Sequence, residues 1–259
     1  MNNVINTPAN LVHWKLQRDA DGTAWAMLDR QNASTNVLTA EVMAELTTLL
    51  DECDRQVPKA LIFKSGKAVG FIAGADIEEL ARLDSGAAAH ALIKRGWDLY
   101  HRLAAVSYPT LALIRGHCLG GGTELALACR YRLAVDEAQT KIALPEVMLG
   151  IVPGWGGMLR LPQKVGAAAA LDMMLTGKSI DARRAQKMGL VDVCVPPRVM
   201  DNAARLLVNS GQMPRTLPFF QRLLNGPLKG IVAAQARKQV ARRARPENYP
   251  APYAILDMW

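Results

Sequence analysis

The segment GHCLGGGTELALAC, residues 116 to 129, sets three consecutive glycines and a glutamate at the mouth of an apolar helical run. Bare backbone at a strand-to-helix turn lets main-chain N–H groups approach negative charge, helped by the helix dipole. Two chemistries use such a turn. One is phosphate binding, but no Lys-Ser or Lys-Thr follows the glycines and the spacing does not satisfy GxGxxG, so a nucleotide loop has no support. The other is an oxyanion hole, where N–H groups stabilise charge as it develops on a carbonyl oxygen. Glu124 lies one turn inside the helix and is followed by LALAC. Burial there would lift its pKa toward the range of proton transfer; the same residue also fits a helix-start glutamate favoured by the dipole.

A second carboxylate, Glu146 in IALPEVMLG, sits between apolar neighbours directly after Pro145. Alone it reads as a loop glutamate, and only the fold can make it the partner of Glu124 in acid–base work. Two further segments offer small side chains and exposed N–H groups. GFIAGADIEEL (70–80) carries Gly74 between alanines, so that the N–H of Ala75 can face a ligand, and IVPGWGGMLRLP (151–162) opens a helix on Gly154, Gly156 and Gly157. Either also fits a plain tight turn. His117 and Cys118 suggest nucleophilic catalysis, yet neighbours on a strand point to opposite faces.

The elements that must position these residues follow from periodicity. Alternation over 11–17 and 23–29 around Asp-Gly predicts a hairpin. A helix over 39–54 has Thr39 as its N-cap and Val42, Met43, Leu46, Leu49 and Leu50 on one face. KALIFK (59–64) is a buried strand, 86–105 a helix, TLALIRG (110–116) a strand, 121–130 a helix and YRLAV (131–135) a strand. Helices over 155–165, 167–176 and 181–188, a strand over 190–193 and helices from Val199 onward complete the chain. The alternation predicts a parallel α/β architecture.

Half of the 259 residues are apolar, enough for a sizeable core, and no apolar run reaches the roughly 18 residues of a membrane span. Cys53, Cys118, Cys129 and Cys194 form no CxxC pair and read as buried thiols of a reducing compartment. The net charge of +8 collects near the end, where Lys229, Arg237, Lys238, Arg242, Arg243 and Arg245 occur without an acidic residue among them. These read as a solvated helix face, a contact for a phosphorylated ligand or partner domain, or a nucleic-acid surface, although few aromatics interleave them.

In this order and at these intervals, FIAGADIEEL, GHCLGGGTELALAC, LPEVMLGIVPGWGGMLRLP and LTGKSIDARRAQKMGLVDVCVP resemble the enoyl-CoA hydratase/isomerase (crotonase) superfamily over nearly the whole chain. They are most similar to the N-terminal hydratase domain of multifunctional fatty-acid oxidation α-subunits. The resemblance implies a crotonase-like spiral of ββα repeats, with an α/β core over 1–196 and a helical region over 197–259. The closing NYPAPYAILDMW resembles the start of a linker to a dehydrogenase domain that the chain does not contain.

It further implies that the N–H groups of Ala75 and Gly121 hold a thioester oxygen and that Glu124 and Glu146 flank a water positioned by the N–H of Gly154. The implied reaction is hydration of a 2-trans-enoyl-CoA to a 3-hydroxyacyl-CoA in fatty-acid β-oxidation, with 3-enoyl to 2-enoyl isomerisation as an added activity of multifunctional members. Coenzyme A is then part of the substrate, and neither a metal nor another cofactor is expected. Backbone at Ala73 and Ala75 resembles the adenine-binding turn, with Lys64, Lys67 and the terminal basic residues as candidates for the phosphates. The cysteine usage predicts a cytoplasmic protein, and the resemblance implies assembly as a trimer or hexamer or in a multifunctional complex with a thiolase subunit. The alternatives are an isomerase only, a silent assembly domain, or a nucleic-acid-binding member of the fold.

Overall fold

The structure, a computed structural model, describes residues 11–68 and 70–259. It opens with the antiparallel hairpin β1 (Trp14–Arg18) and β2 (Thr23–Leu28), in register Trp14 to Leu28. Helix α1 (Ala40–Arg55) starts where expected, with the Thr39 hydroxyl accepting the N–H of Val42, and buries the predicted apolar stripe together with Cys53. The chain then repeats one plan. A strand in the main sheet, a short strand in a second sheet and a helix follow one another three times.

The first turn is β3 (Ala60–Ser65) and β4 (Gly70–Ile72), then α2 (Ile77–Ala81) and α3 (Gly86–Ala105). The second is β5 (Thr110–Ile114), β6 (His117–Leu119) and α4 (Gly121–Ala128). The third is β7 (Tyr131–Val135) and β8 (Lys141–Ala143), a 3-10 turn over Glu146–Leu149, then α5 (Gly157–Val165) and α6 (Ala167–Thr176). Strand β9 (Ile180–Asp181), α7 (Ala182–Met188) and β10 (Val193–Val195) close the two sheets. Helices α8 (Met200–Asn209), α9 (Phe219–Asn225), α10 (Lys229–Ala241) and α11 (Pro250–Met258) follow.

The main sheet runs β1-β2-β3-β5-β7-β10 and is parallel from β2 onward; the second runs β4-β6-β8-β9. This is the expected crotonase-like spiral of ββα units with helices at its C-terminal end. Because side chains alternate along a strand, the main sheet feeds two cores. Leu61, Phe63, Ala112 and Ile114 join the larger one with α1 and α4, while Ile62, Leu111, Leu113 and Leu133 face Ala204, Leu207 and Val208 of α8.

Several boundaries differ from expectation, three of them for local reasons that the hydrogen bonds and dihedrals show; the first strand also starts later, at Trp14, and α5 at Gly157. The strand expected over 190–193 is β10 at Val193–Val195, since the N–H groups of Leu190 and Val191 bond back to the carbonyl of Ala185 and finish the cap of α7. The strand expected to reach 116 ends at Ile114, and Gly116, with φ +70°, turns the chain into β6. Helix α4 stops at Ala128 instead of 130 because Cys129 is extended, at ψ 150°. Strands of the second sheet are two or three residues long, too short for alternation to appear in the sequence.

Candidate active site

Every residue of α4 is buried, so Glu124 has no face of the helix on which to meet bulk water. Its first turn is fixed by Thr123, whose hydroxyl lies 2.7 Å from the carbonyl oxygen of Cys118 and 2.8 Å from that of Ala143, tying α4 to β6 and β8. Gly120 enters the helix at φ +52° and ψ −126°, a conformation that suits glycine alone. On the adjoining turn, Leu38 donates its N–H to Gly74 at 2.8 Å and accepts that of Asp76 at 3.3 Å, and these two bonds straddle Ala75.

The two turns abut. A Cβ built on Gly120 would stand 3.7 Å from the Cα of Gly74, which puts Ala75 and Gly121 on one wall. Among the described residues, no protein acceptor takes the N–H of Ala75 or of Gly121. The carbonyl of Gly121 accepts the Tyr100 hydroxyl at 3.0 Å, which fixes the following peptide from behind.

Opposite stands the N-terminus of α5. Oε1 of Glu124 accepts the N–H of Trp155 at 2.8 Å and that of Gly157 at 2.7 Å, so the positive end of this helix faces the carboxylate. The close approach leaves a side chain at 157 no room unless the carboxylate gives way, because a Cβ there would lie 3.0 Å from Oε1. Arg160, one turn further, is buried and donates to the carbonyls of Trp155 at 3.1 Å and Tyr100 at 3.3 Å. Burial raises the Glu124 pKa well above the ordinary carboxylate value, while the two N–H groups and the Arg160 charge pull against it.

Glu146 heads the 3-10 turn after Pro145, and its Oε1 lies 3.2 Å from the position a Gly120 Cβ would take. Its Oε2 is buried and meets no hydrogen-bond partner. Burial first, and then the charge of Glu124, raise its pKa. The two acids therefore meet at one site and resist ionising together. Glu124 has two N–H donors and the Arg160 charge to stabilise an anion, and Glu146 only its own backbone N–H.

The remaining expected positions vary. Gly154 borders the site beside Ile93, but the N–H groups that meet the first carboxylate belong to Trp155 and Gly157. The N–H of Ala73 is taken by the carbonyl of Asn36 at 2.9 Å. Lys64 pairs with Asp201 at 3.2 Å and Lys67 with Asp29 at 2.8 Å, so both cations already meet protein carboxylates. His117 is exposed and Cys118 buried, on opposite faces of β6 as expected. Burial raises the Cys118 and Cys129 thiols to about 12, which leaves them inert near neutrality.

Ligand atoms of His13, Glu41 and Glu45 lie within 4.8 Å of one another. Glu45 spends its oxygens on the N–H groups of Val12, His13 and Trp14, and Nδ1 of His13 accepts from Gln31, so hydrogen bonds already account for the cluster.

The sequence profile of the enoyl-CoA hydratase/isomerase family matches residues 21–242. This chain belongs to that family. It is 41% identical over 244 residues to the fatty acid oxidation complex subunit alpha of Aliivibrio fischeri, covering 93% of this chain and 35% of the relative. It is 42% identical over 254 residues to the same subunit of Vibrio cholerae, covering 95% and 36%. The chain thus spans about a third of the length of these curated relatives. Among solved structures, an enoyl-CoA hydratase from Bacillus anthracis superposes with a TM-score of 0.71 at 26% identity, covering 89% of this chain and 92% of that one. DspI of Pseudomonas aeruginosa gives 0.72 at 27%, covering 93% and 94%.

Arg160, Tyr100 and the main chain of Trp155 are site components that sequence reasoning missed. The run IVPGWGG announced free N–H groups but not their acceptor, since the pairing of α4 with α5 is a tertiary fact.

Proposed function

We propose that the chain hydrates 2-trans-enoyl-CoA thioesters to 3-hydroxyacyl-CoA. The observation that carries this reading is the pair of buried carboxylates, unlike in their partners, beside two abutting turns with unengaged N–H groups. With the thioester oxygen on the N–H groups of Ala75 and Gly121, electron density drawn from the double bond leaves Cβ electrophilic. Glu124, the acid whose anion is better stabilised, by Trp155, Gly157 and Arg160, takes a proton from water as the water oxygen bonds to Cβ. The electron pair of the double bond moves to the thioester oxygen as an enolate, and protonated Glu146 delivers its proton to Cα. Return of the proton from Glu124 to Glu146 restores the starting state, with one water added.

Neither acid needs a metal for these steps, and coenzyme A enters as part of the substrate. Double-bond migration from 3-enoyl to 2-enoyl-CoA is a second reading, favoured by the unpartnered Oε2 of Glu146, which can carry a proton between carbons by itself. A cytoplasmic setting fits the free cysteines. Assembly as a trimer or hexamer, or beside a thiolase subunit, belongs to the same proposal, supported by Phe219, Phe220 and Ile231, exposed on α9 and α10. Among the described residues no helix is long and apolar enough to cross a membrane.

The test is the loss of enoyl absorbance of crotonyl-CoA with the purified chain, followed by product identification. Formation of 3-hydroxybutyryl-CoA is expected. An intact, folded protein without turnover on crotonyl-CoA and on longer 2-enoyl-CoAs would reject the reading.

A further inference from the structure

The indole of Trp155 lies against the wall that carries the proposed oxyanion donors. Its Cζ3 is 2.5 Å from where a Cβ on Gly121 would stand. On its other side the five-membered ring rests on Gly96 of α3, so closely that a Cβ there would fall within the ring's van der Waals surface. Tyr100, one turn along α3, meets the indole edge-on with centroids 5.7 Å apart and planes at 83°. The ring is therefore held by Gly96, Gly121 and Tyr100 and is itself buried.

A glycine in the middle of a helix is destabilising relative to alanine. At Gly96 the absent side chain makes room for the indole, which pairs one very small residue with one very large one. The cavity that the indole itself lines, with Leu38, Met43, Ala75 and Leu92 on its apolar side and Glu79 and Arg95 on its polar side, is only about 10 Å³. That is no more than a single water-sized group needs. An acyl chain whose thioester oxygen sits between Ala75 and Gly121 has its Cα and Cβ at the two glutamates. On the hydratase reading its next carbons run toward the wall that Trp155 and Ala75 share.

We propose that Trp155 closes the acyl pocket, with Gly96 as the small partner that seats its ring, so that the protein selects short-chain 2-enoyl-CoA substrates. The proposal rests on the hydratase reading for the direction of the acyl chain. Trp155 plays two separable parts. Its main-chain N–H serves Glu124 in any variant, and its side chain sets the depth of the pocket.

The experiment uses the purified chain with two readouts, binding of butyryl-CoA and decanoyl-CoA by calorimetry and hydration of crotonyl-CoA and trans-2-decenoyl-CoA. The wild-type protein is expected to favour the short thioester by about tenfold or more, since one misfitted methylene alone is worth about tenfold. Trp155→Ala should shift that ratio toward the long thioester by about tenfold or more. Trp155→Leu, which leaves a smaller void, should shift it in the same direction by less, and thermal melts establish that each variant is folded. Equal binding of both thioesters by the wild-type chain would overturn the proposal, as would folded Trp155→Ala and Trp155→Leu proteins with unchanged ratios. A short-chain binding preference without turnover at either length would uphold the pocket and count against the reaction.

Discussion

Glu124 and Glu146 are the same amino acid in two different electrostatic settings. The first lies in a helix buried along its whole length, against the N-terminus of α5, with two N–H groups and a buried arginine at its carboxylate. The second lies in a short 3-10 turn whose neighbours Met148 and Leu149 are exposed, and one of its oxygens meets nothing. Burial raises both acids, but two N–H groups and Arg160 oppose the rise at Glu124, against a single backbone N–H, its own, at Glu146. On the proposed reading the difference puts the charge on Glu124 and the proton on Glu146. Two carboxylates become a base and an acid because the backbone around them differs.

The largest test of that contrast removes each acid. Glu124→Ala and Glu146→Ala should each lower kcat for crotonyl-CoA hydration by on the order of 10²–10⁴. Unchanged rates in either would end the two-acid account. Next in size is Gly157→Ala, whose Cβ would stand 3.0 Å from Oε1 of Glu124 and displace the carboxylate from its donors. A loss of roughly 10²-fold in kcat with a normal circular dichroism spectrum is expected, as for a small misplacement of a reacting group.

Arg160→Gln sharpens the comparison by removing the charge that helps keep Glu124 ionised. The acid limb of the pH–rate profile should move upward by about one unit or more, with Arg160→Lys restoring it in part. A limb that stays in place would mean that the two N–H groups suffice.

The smallest effect concerns stability. A carboxyl whose folded pKa exceeds its unfolded value favours the folded state while protonated, and that advantage fades as pH rises from the unfolded value through the folded one. Glu146 is such a group, raised from the ordinary 4.5. Glu146→Gln should therefore raise the Tm at alkaline pH by roughly 2–4 °C per kcal/mol recovered, with a smaller change in acid. Calorimetric melts at both pH values check the sign.

Much of this site was legible in the sequence because it is carried by glycines and by acids in apolar runs. Helix α3 has the bounds its pattern predicts, and Thr39 caps α1 as read. What escaped is short or tertiary. The second sheet has strands of two or three residues, and the pairing of Glu124 with α5 joins residues more than thirty positions apart. Nothing in the sequence singles out Arg160, and the packing of α5 against α4 buries it. Lys64 and Lys67 were read for their charge alone, whereas Asp201 and Asp29, distant in sequence, answer it.

The unequal protonation of the two acids is tested most directly by infrared difference titration of the carboxyl band in the wild-type chain, Glu124→Gln and Glu146→Gln. At a pH above the raised value of Glu124 and below that of Glu146, a protonated, buried carboxyl signal should be present in the wild type, persist in Glu124→Gln and fall most in Glu146→Gln. A signal lost in Glu124→Gln and kept in Glu146→Gln would reverse the roles of acid and base and contradict the account.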